Sequence, residues 1–223
     1  MKQVADGVWH INTILLPNAV NAFVLDDVLV DSGGRRSARM ILRQLDAHDV
    51  SAHAITHAHP DHQGSSKELC EKLGVPYWVG ERDADAAENP RLIRERQPNH
   101  PVAHFYDRIF TGPGRGVDRA LREGDDVSRF RVIDAPGHSA GHVVLWRESD
   151  GVLVLGDVLT NMDVMTGLPG LHEPKPYLTP DPAENRRSIR RVAALEPRLL
   201  LFGHGPPLRD PRKLADFVAG LPE

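Results

Sequence analysis

The sequence predicts an α/β sandwich, with helices outside two packed β-sheets. Three observations lead there. Short apolar runs bounded by turn residues recur along the chain and read as buried strands. Segments with helical periodicity fall between them. The polar residues able to do chemistry stand directly after the runs, where helix-covered sheets expose their strand ends.

In chain order, Gly7 to Leu16 and Ala22 to Leu25 read as strands of an opening meander. Val28-Leu29-Val30 leads to Asp31 and Gly33-Gly34, and Ala54-Ile55-Thr56 leads to His57. Arg131-Val132-Ile133 leads through Asp134 to Gly137-His138. Val152 to Leu155 leads to Gly156-Asp157, and Leu199 to Phe202 leads to Gly203-His204. Helices are expected over Ser37 to Ala47, with Ala38, Ile41, Leu42 and Leu45 on one stripe, and over Ser65 to Leu73, which opens on a capping-box pattern. Further helices are expected from about Pro182 to Leu195 and from Pro211 to Leu221. Residues 88–120 and 160–180 are punctuated by Pro and Gly and read as lids or binding loops.

At 223 residues the chain is expected to form one domain, 1–223. A net charge of −4 and a pI near 6.3 argue against a nucleic-acid surface. The lone Cys70 excludes an intrachain disulfide and reads as a helix packing residue. No apolar run approaches the ~20 residues that span a bilayer, and Met1 to Asp6 lacks the apolar region of a secretory signal. The expectations are a small-molecule substrate, no nucleic-acid or membrane partner, and a cytoplasmic setting; the oligomeric state is left open.

The densest chemistry is His57-Ala58-His59-Pro60-Asp61-His62. Imidazole and carboxylate together are ligands for zinc, iron or manganese. If His57 and His59 stand at a strand end, side chains two apart point the same way and can enter one metal's shell. The partition that follows puts His57, His59 and His138 on one metal and Asp61, His62 and His204 on a second. Asp157 then bridges both. Two divalent cations, most simply zinc, outweigh these two carboxylates and a bridging hydroxide by one positive charge. Such a site attracts a carbonyl, carboxylate or phosphate and stabilises a developing oxyanion. Asp61 and Asp157 are the expected catalytic carboxylates. Asp31 has no ligand slot left and is expected to orient a ligand. His142 reads as a hydrogen-bonded structural residue, and His10, His48 and His53 as ordinary strand or surface positions. Phe105, Tyr106, Met162, Met165, Leu168 and His172 are the expected substrate contacts, being apolar or polarisable groups in the two lid segments. His100 and His104 share those segments.

These residues resemble the metallo-β-lactamase-fold hydrolase superfamily from Trp9 to His204. Its His-x-His-x-Asp-His signature stands at 57–62, and its later ligands match His138, Asp157 and His204. Its early aspartate matches Asp31. The resemblance implies an αββα sandwich of two mixed sheets with metals at one edge. Retention of both His62 and Asp157 is similar to the glyoxalase II and acyl-homoserine lactone lactonase branch. The activity so implied is dinuclear hydrolysis of an ester, lactone or thioester. A phosphoester hydrolase, or an iron-dependent oxidoreductase acting on sulfur substrates, is the alternative. Two departures bear on substrate. Only 19 residues follow His204, where glyoxalase II carries a helical extension, and Val158-Leu159-Thr160-Asn161 lacks the lactonase tyrosine.

Overall fold

The computed structural model describes residues 1–46 and 48–222. The first sheet takes its strands in sequence order: β1 (Lys2–Ala5), β2 (Val8–Asn12), β3 (Asn21–Leu25), β4 (Val28–Val30), β5 (Ala52–Ala54), β6 (Tyr77–Gly80) and β7 (Arg119–Leu121). β1 to β4 pair antiparallel as the expected meander, and β4 to β7 pair parallel. The connections impose that change. Asp26-Asp27 suffices to turn β3 back into β4, whereas parallel neighbours need a crossover. Here α1 (Ala38–Leu45), then α2 (Pro60–Gln63) with α3 (Ser66–Leu73), supply the first two.

The second sheet holds β8 (Asp126–Val127), β9 (Phe130–Asp134), β10 (Val143–Arg147), β11 (Val152–Gly156) and, beyond a short hairpin of β12 (Thr160–Met162) and β13 (Pro169–His172), β14 (Leu199–Phe202). Its order is β14-β11-β10-β9-β8, antiparallel except between β11 and β14, which α7 (Pro182–Ala193) connects. α8 (Pro211–Ala219) ends the described chain. The expected helices are present with slightly shorter bounds; Ala47, at the end of the first, lies outside the described residues.

Alternation along the strands explains the layers. Phe23, Leu25 and Val30 of the first sheet meet Phe130, Val132, Leu145 and Val154 of the second in one buried core. The intervening residues face outward and are covered too. Ala22, Val24 and Leu29 pack under Ile41 and Leu45 of α1 and Leu69 of α3, and Val144, Leu153 and Leu200 under Ile189 and Val192 of α7 and Leu214 of α8. A strand buried on both faces needs an uninterrupted apolar run, which is what Leu199 to Phe202 and Val152 to Leu155 supply. The fold is thus the expected α/β sandwich of two mixed sheets.

Two expectations are corrected. Residues 88–120 are not a loop. They contain α5 (Arg91–Arg96) and α6 (Pro101–Phe110), following α4 (Ala84–Glu88). The prolines that read as breakers stand at helix starts, Pro90 as the residue capping α5 and Pro101 in the first turn of α6, where a missing N–H costs nothing. His100 caps α6, its Nδ1 accepting the Val102 N–H at 3.2 Å. Residues 160–180 likewise hold the β12–β13 hairpin and a 3₁₀ turn, Pro176–Leu178.

The capping box at Ser65 does not form around α3. Ser65 instead serves the neighbouring helix. Its Oγ accepts the N–H groups of Ser37 (3.1 Å) and Ala38 (3.0 Å) at the start of α1 and donates to the Gly34 carbonyl at 2.6 Å. Ser65→Ala should therefore cost about 1–2 kcal/mol, the range for a lost helix cap, in urea unfolding. Glu68→Ala, on the exposed start of α3, should change stability far less. Equal losses would return the capping role to α3.

Candidate metal centre

The strand ends converge at one edge of the sandwich. β4 leads into Asp31, β5 into residues 55–62, β9 into Gly137-His138, β11 into Asp157 and β14 into His204. β5 stops at Ala54, so His57 and His59 lie in the loop that follows it, a little beyond the expected position at the strand end. Pro60 does end the extended chain, as the first residue of α2, and the helical turn carries Asp61 and His62 inward.

All seven candidate ligands are buried. His57, His59 and His138 form one group in which one potential ligand atom from each lies within 4.8 Å of the others; Asp61, His62 and His204 form another. Asp157 groups with His57 and His62, one from each set. The expected partition is therefore sterically available, with Asp157 placed between. Its Oδ2 is 3.1 Å from His204 Nε2 and 3.7 Å from His138 Nε2, and its Oδ1 is 3.5 Å from His62 Nε2. Two glycines permit this crowding. A Cβ on Gly203 would stand 2.1 Å from Asp157 Oδ1, and one on Gly156, which has φ +52°, 2.7 Å from Thr56 Oγ1. The Gly preceding Asp157 and His204 is thus a requirement of close approach.

Four of the five rings obey one rule. Nδ1 meets an oxygen and Nε2 faces the centre. His57 Nδ1 lies 3.0 Å from Thr56 Oγ1, His62 Nδ1 3.0 Å from Asp31 Oδ2, and His138 Nδ1 3.1 Å from Thr179 Oγ1. His204 Nδ1 contacts the Ala19 carbonyl at 2.5 Å. Each contact can hold a proton on Nδ1 and so leave Nε2 free to ligate. Asp31 sits at φ +64° and also accepts from the backbone N and Oγ1 of Thr56, at 2.8 and 3.0 Å. It thereby ties the first loop to the His62 ring.

Nε2 of His57, His62 and His138 and Oδ1 of Asp157 are buried without a hydrogen-bond partner. Buried polar atoms are rarely left so, and four gathered in one cluster, all nitrogen or carboxylate oxygen, fit divalent transition metals. The charges divide accordingly. Burial, reinforced by neighbouring rings, holds His57 and His138 well below the usual imidazole pKa. Burial opposes charge on His62 and His204 too, but Asp157 and Asp61 outweigh it. His62 rises well above the usual value and His204 to about 10.

His142 is buried, and its Nε2 accepts the Asp157 N–H at 3.1 Å. It supports the ligand backbone, in line with the structural reading of the sequence. His53 is a strand position on β5, wholly buried between the Leu29 carbonyl and Ser66 Oγ. Cys70 is buried and its thiol is raised to about 11 by burial. Asp83 escaped the sequence reading. It stands alone in Glu81-Arg82-Asp83, with no motif to mark it. Its carboxylate accepts from Ala58 N (2.9 Å), Ser139 Oγ (2.6 Å) and Gly141 N (2.8 Å), clamping the 57–62 loop to the 136–142 loop.

A cavity opens onto this cluster. Of the expected substrate contacts, Tyr106 and His172 line it; Phe105, Met162, Met165 and Leu168 do not. Successive helix positions are about 100° apart, so Tyr106 turns inward while Phe105 is 64% exposed. Met165 and Leu168 sit in the hairpin turn, also exposed, and Met162 pairs with Pro169 across the hairpin. The apolar wall comes instead from Ile93, Ala103, Val164 and Leu178. His104 lines the cavity as well, whereas His100 is engaged as the α6 cap.

The clamp and the charge balance can each be measured. Asp83→Ala leaves buried N–H groups unpaired, at about 1–3 kcal/mol each; urea unfolding of chelator-treated protein should show a loss on the order of 3 kcal/mol, and a loss under about 1 would mean the loops hold without the clamp. Metal affinity should also depend on pH. His62 and His204 must each give up a proton to ligate, so apparent affinity should fall as pH falls and keep rising past pH 9. Competition with a chelator across pH 6–10 reads this, and a plateau above pH 7 would mean ordinary imidazoles.

Known proteins agree with this geometry. The family model described as the metallo-beta-lactamase superfamily matches residues 15–204. The chain is 30% identical over 220 residues to the probable metallo-hydrolase YflN of Bacillus subtilis, covering 90% of this chain and 82% of that one. It is 25% identical over 203 residues to a hydroxyacylglutathione hydrolase of Bdellovibrio bacteriovorus, covering 86% and 66%. Among solved structures, a metallo-beta-lactamase family protein of Thermus thermophilus superposes with a TM-score of 0.69 at 26% identity, over 97% of this chain and 80% of that one. TTHA1623, solved in a di-iron-bound form, gives a TM-score of 0.67 at 27% identity, over 89% and 93%. Fold, cluster and relatives converge: the chain is a metal-dependent hydrolase belonging to the metallo-β-lactamase superfamily.

Proposed function

We propose that this protein holds two divalent metals and hydrolyses an ester, lactone or thioester. The observation that carries the reading is the pair of three-residue groups with Asp157 between them, since one metal takes only three or four protein ligands. His57, His59 and His138 would hold one ion and Asp61, His62 and His204 the other, with Asp157 shared. Zinc suits the donor set, and iron or manganese would also fit. When bound, such ions supply a water ionised near neutral pH and polarise the carbonyl under attack.

The chain's own residues do the rest. Asp61 and Asp157 are the proposed catalytic carboxylates, since both line the cavity where substrate would lie. Asp31, Thr56, Thr179 and the Ala19 carbonyl keep four rings in the ligating tautomer. Ile93, Val164 and Leu178 offer an apolar wall to an acyl group. The relatives named hydroxyacylglutathione hydrolase support a thioester among the substrates. No helix among the described residues is long and apolar enough to cross a membrane.

On metal-quantified protein, Asp157→Ala should abolish turnover of aryl esters, lactones and acyl thioesters alike and reduce metal content. Turnover of phosphoesters but not of carbonyl substrates would overturn the assignment of reaction. Val164→Trp should narrow the acyl wall and lower kcat/KM for a long acyl chain about 10–200-fold, the range that a pocket change of this kind commands, while sparing acetyl esters. An unchanged chain-length profile would place the acyl group elsewhere.

A further inference from the structure

His59 breaks the rule that the other four rings obey. Its Nε2, not its Nδ1, meets a neighbour: the side-chain amide of Gln97, at 2.5 Å. Gln97 caps the C-terminus of α5. In this rotamer its Nε2 faces the ring and its Oε1 is buried without a partner. Every other ring is tethered through an oxygen. Turning the amide by 180° gives His59 an oxygen partner too, through the opposite ring nitrogen. Nε2–H would then donate to Oε1, and Nδ1 would keep its lone pair for the centre.

The adjoining helix makes a matching contact with the other group. Tyr106 of α6 donates its hydroxyl to Asp61 Oδ2 at 3.1 Å, and that same oxygen lies 3.1 Å from His204 Nε2. One helix of the 88–120 segment thus reaches a candidate ligand of the first metal, and the next helix a candidate ligand of the second. Neither contact follows from the ligand motifs, which contain no residue between 63 and 137.

We propose that Gln97 and Tyr106 are positioning residues, one for each metal. Gln97 accepts from His59 Nε2–H and so presents Nδ1 to the first ion; Tyr106 fixes the Asp61 carboxylate for the second. The inference rests on the two-metal reading above. Polar partners of this kind orient a ligand and typically change metal affinity about 10–100-fold when removed.

Zinc affinity measured by competition with a chromophoric chelator tests it without reference to activity. Gln97→Leu, of similar size but without an acceptor, should weaken one of two stepwise Zn²⁺ affinities about 10–100-fold and leave the other within about threefold. Tyr106→Phe should weaken the other one. Gln97→Glu restores an acceptor oxygen and should bind Zn²⁺ at least as tightly as wild type. In Zn²⁺-loaded protein labelled with ¹⁵N-histidine, the ring proton of His59 should sit on Nε2 and those of His57, His62, His138 and His204 on Nδ1.

The proposal is overturned if Gln97→Leu leaves both affinities unchanged or tightens them, which would place the ion on His59 Nε2 with Gln97 in its way. It is also overturned if Gln97→Leu and Gln97→Glu weaken binding alike, or if each variant weakens both sites equally, since those outcomes report only a disturbed fold. Wild-type protein binding a single Zn²⁺ defeats the two-metal reading instead, and the His59 tautomer then still decides the role of Gln97.

Discussion

Desolvation of seven ionisable side chains at one point is the constraint around which this molecule is arranged. Five imidazoles and two carboxylates lie together, each at most 7% exposed. Burying such groups costs several kcal/mol each unless they are paired. Pairing here is partial, with Asp157 and Asp61 facing His62 and His204. Three imidazole nitrogens and one carboxylate oxygen stay buried without a hydrogen bond. A fold keeps such an arrangement only if the surroundings hold each group against collapse. Asp31, Thr56, Ala19, Thr179 and Asp83 do that holding. Each stands on or next to a strand end or a helix turn fixed by the sandwich core. The two sheets matter to function because they bring these strand ends to one edge.

Much of this is legible in the sequence, for a physical reason. Strands buried on both faces must be continuously apolar, so Leu199 to Phe202 and Val152 to Leu155 stand out, and the turns with the candidate ligands lie where those runs stop. Five of the seven candidate ligands are histidines, and three of these crowd into residues 57–62, a density that an ordinary core has no means of pairing. Proline misleads. Pro90 and Pro101 read as breakers, yet proline is as much at home in a helix's first turn, and a short helix such as α5 has too few positions to show a period. The expected capping box at Ser65 fails because a hydroxyl within reach of two helix starts can serve either one, and sequence adjacency does not say which. Asp83 is invisible because its partners, Ala58, Ser139 and Gly141, lie 25, 56 and 58 residues away.

The cavity shows the same division between local and long-range information. Composition marks residues 88–120 and 160–180 as the walls, and both contribute to it. Which side chains face inward depends on helix phase and on the hairpin turn, neither of which can be set while the segments read as loops. Tyr106 therefore points in and Phe105 out. The walls also carry charge of both signs: Arg94 and Lys175 border the same space with Asp107, Asp163 and Glu173, and Lys175 is paired with Asp163.

The central claim is that the cluster exists to hold two ions with Asp157 between them. Anomalous scattering from a crystal of the metal-loaded protein tests this most directly. Two peaks about 3.5–4 Å apart are expected, the separation usual for paired catalytic metals, one against His57, His59 and His138 and the other against Asp61, His62 and His204, with Asp157 reaching both. A single peak at full occupancy, or two peaks with Asp157 touching neither, would contradict the account.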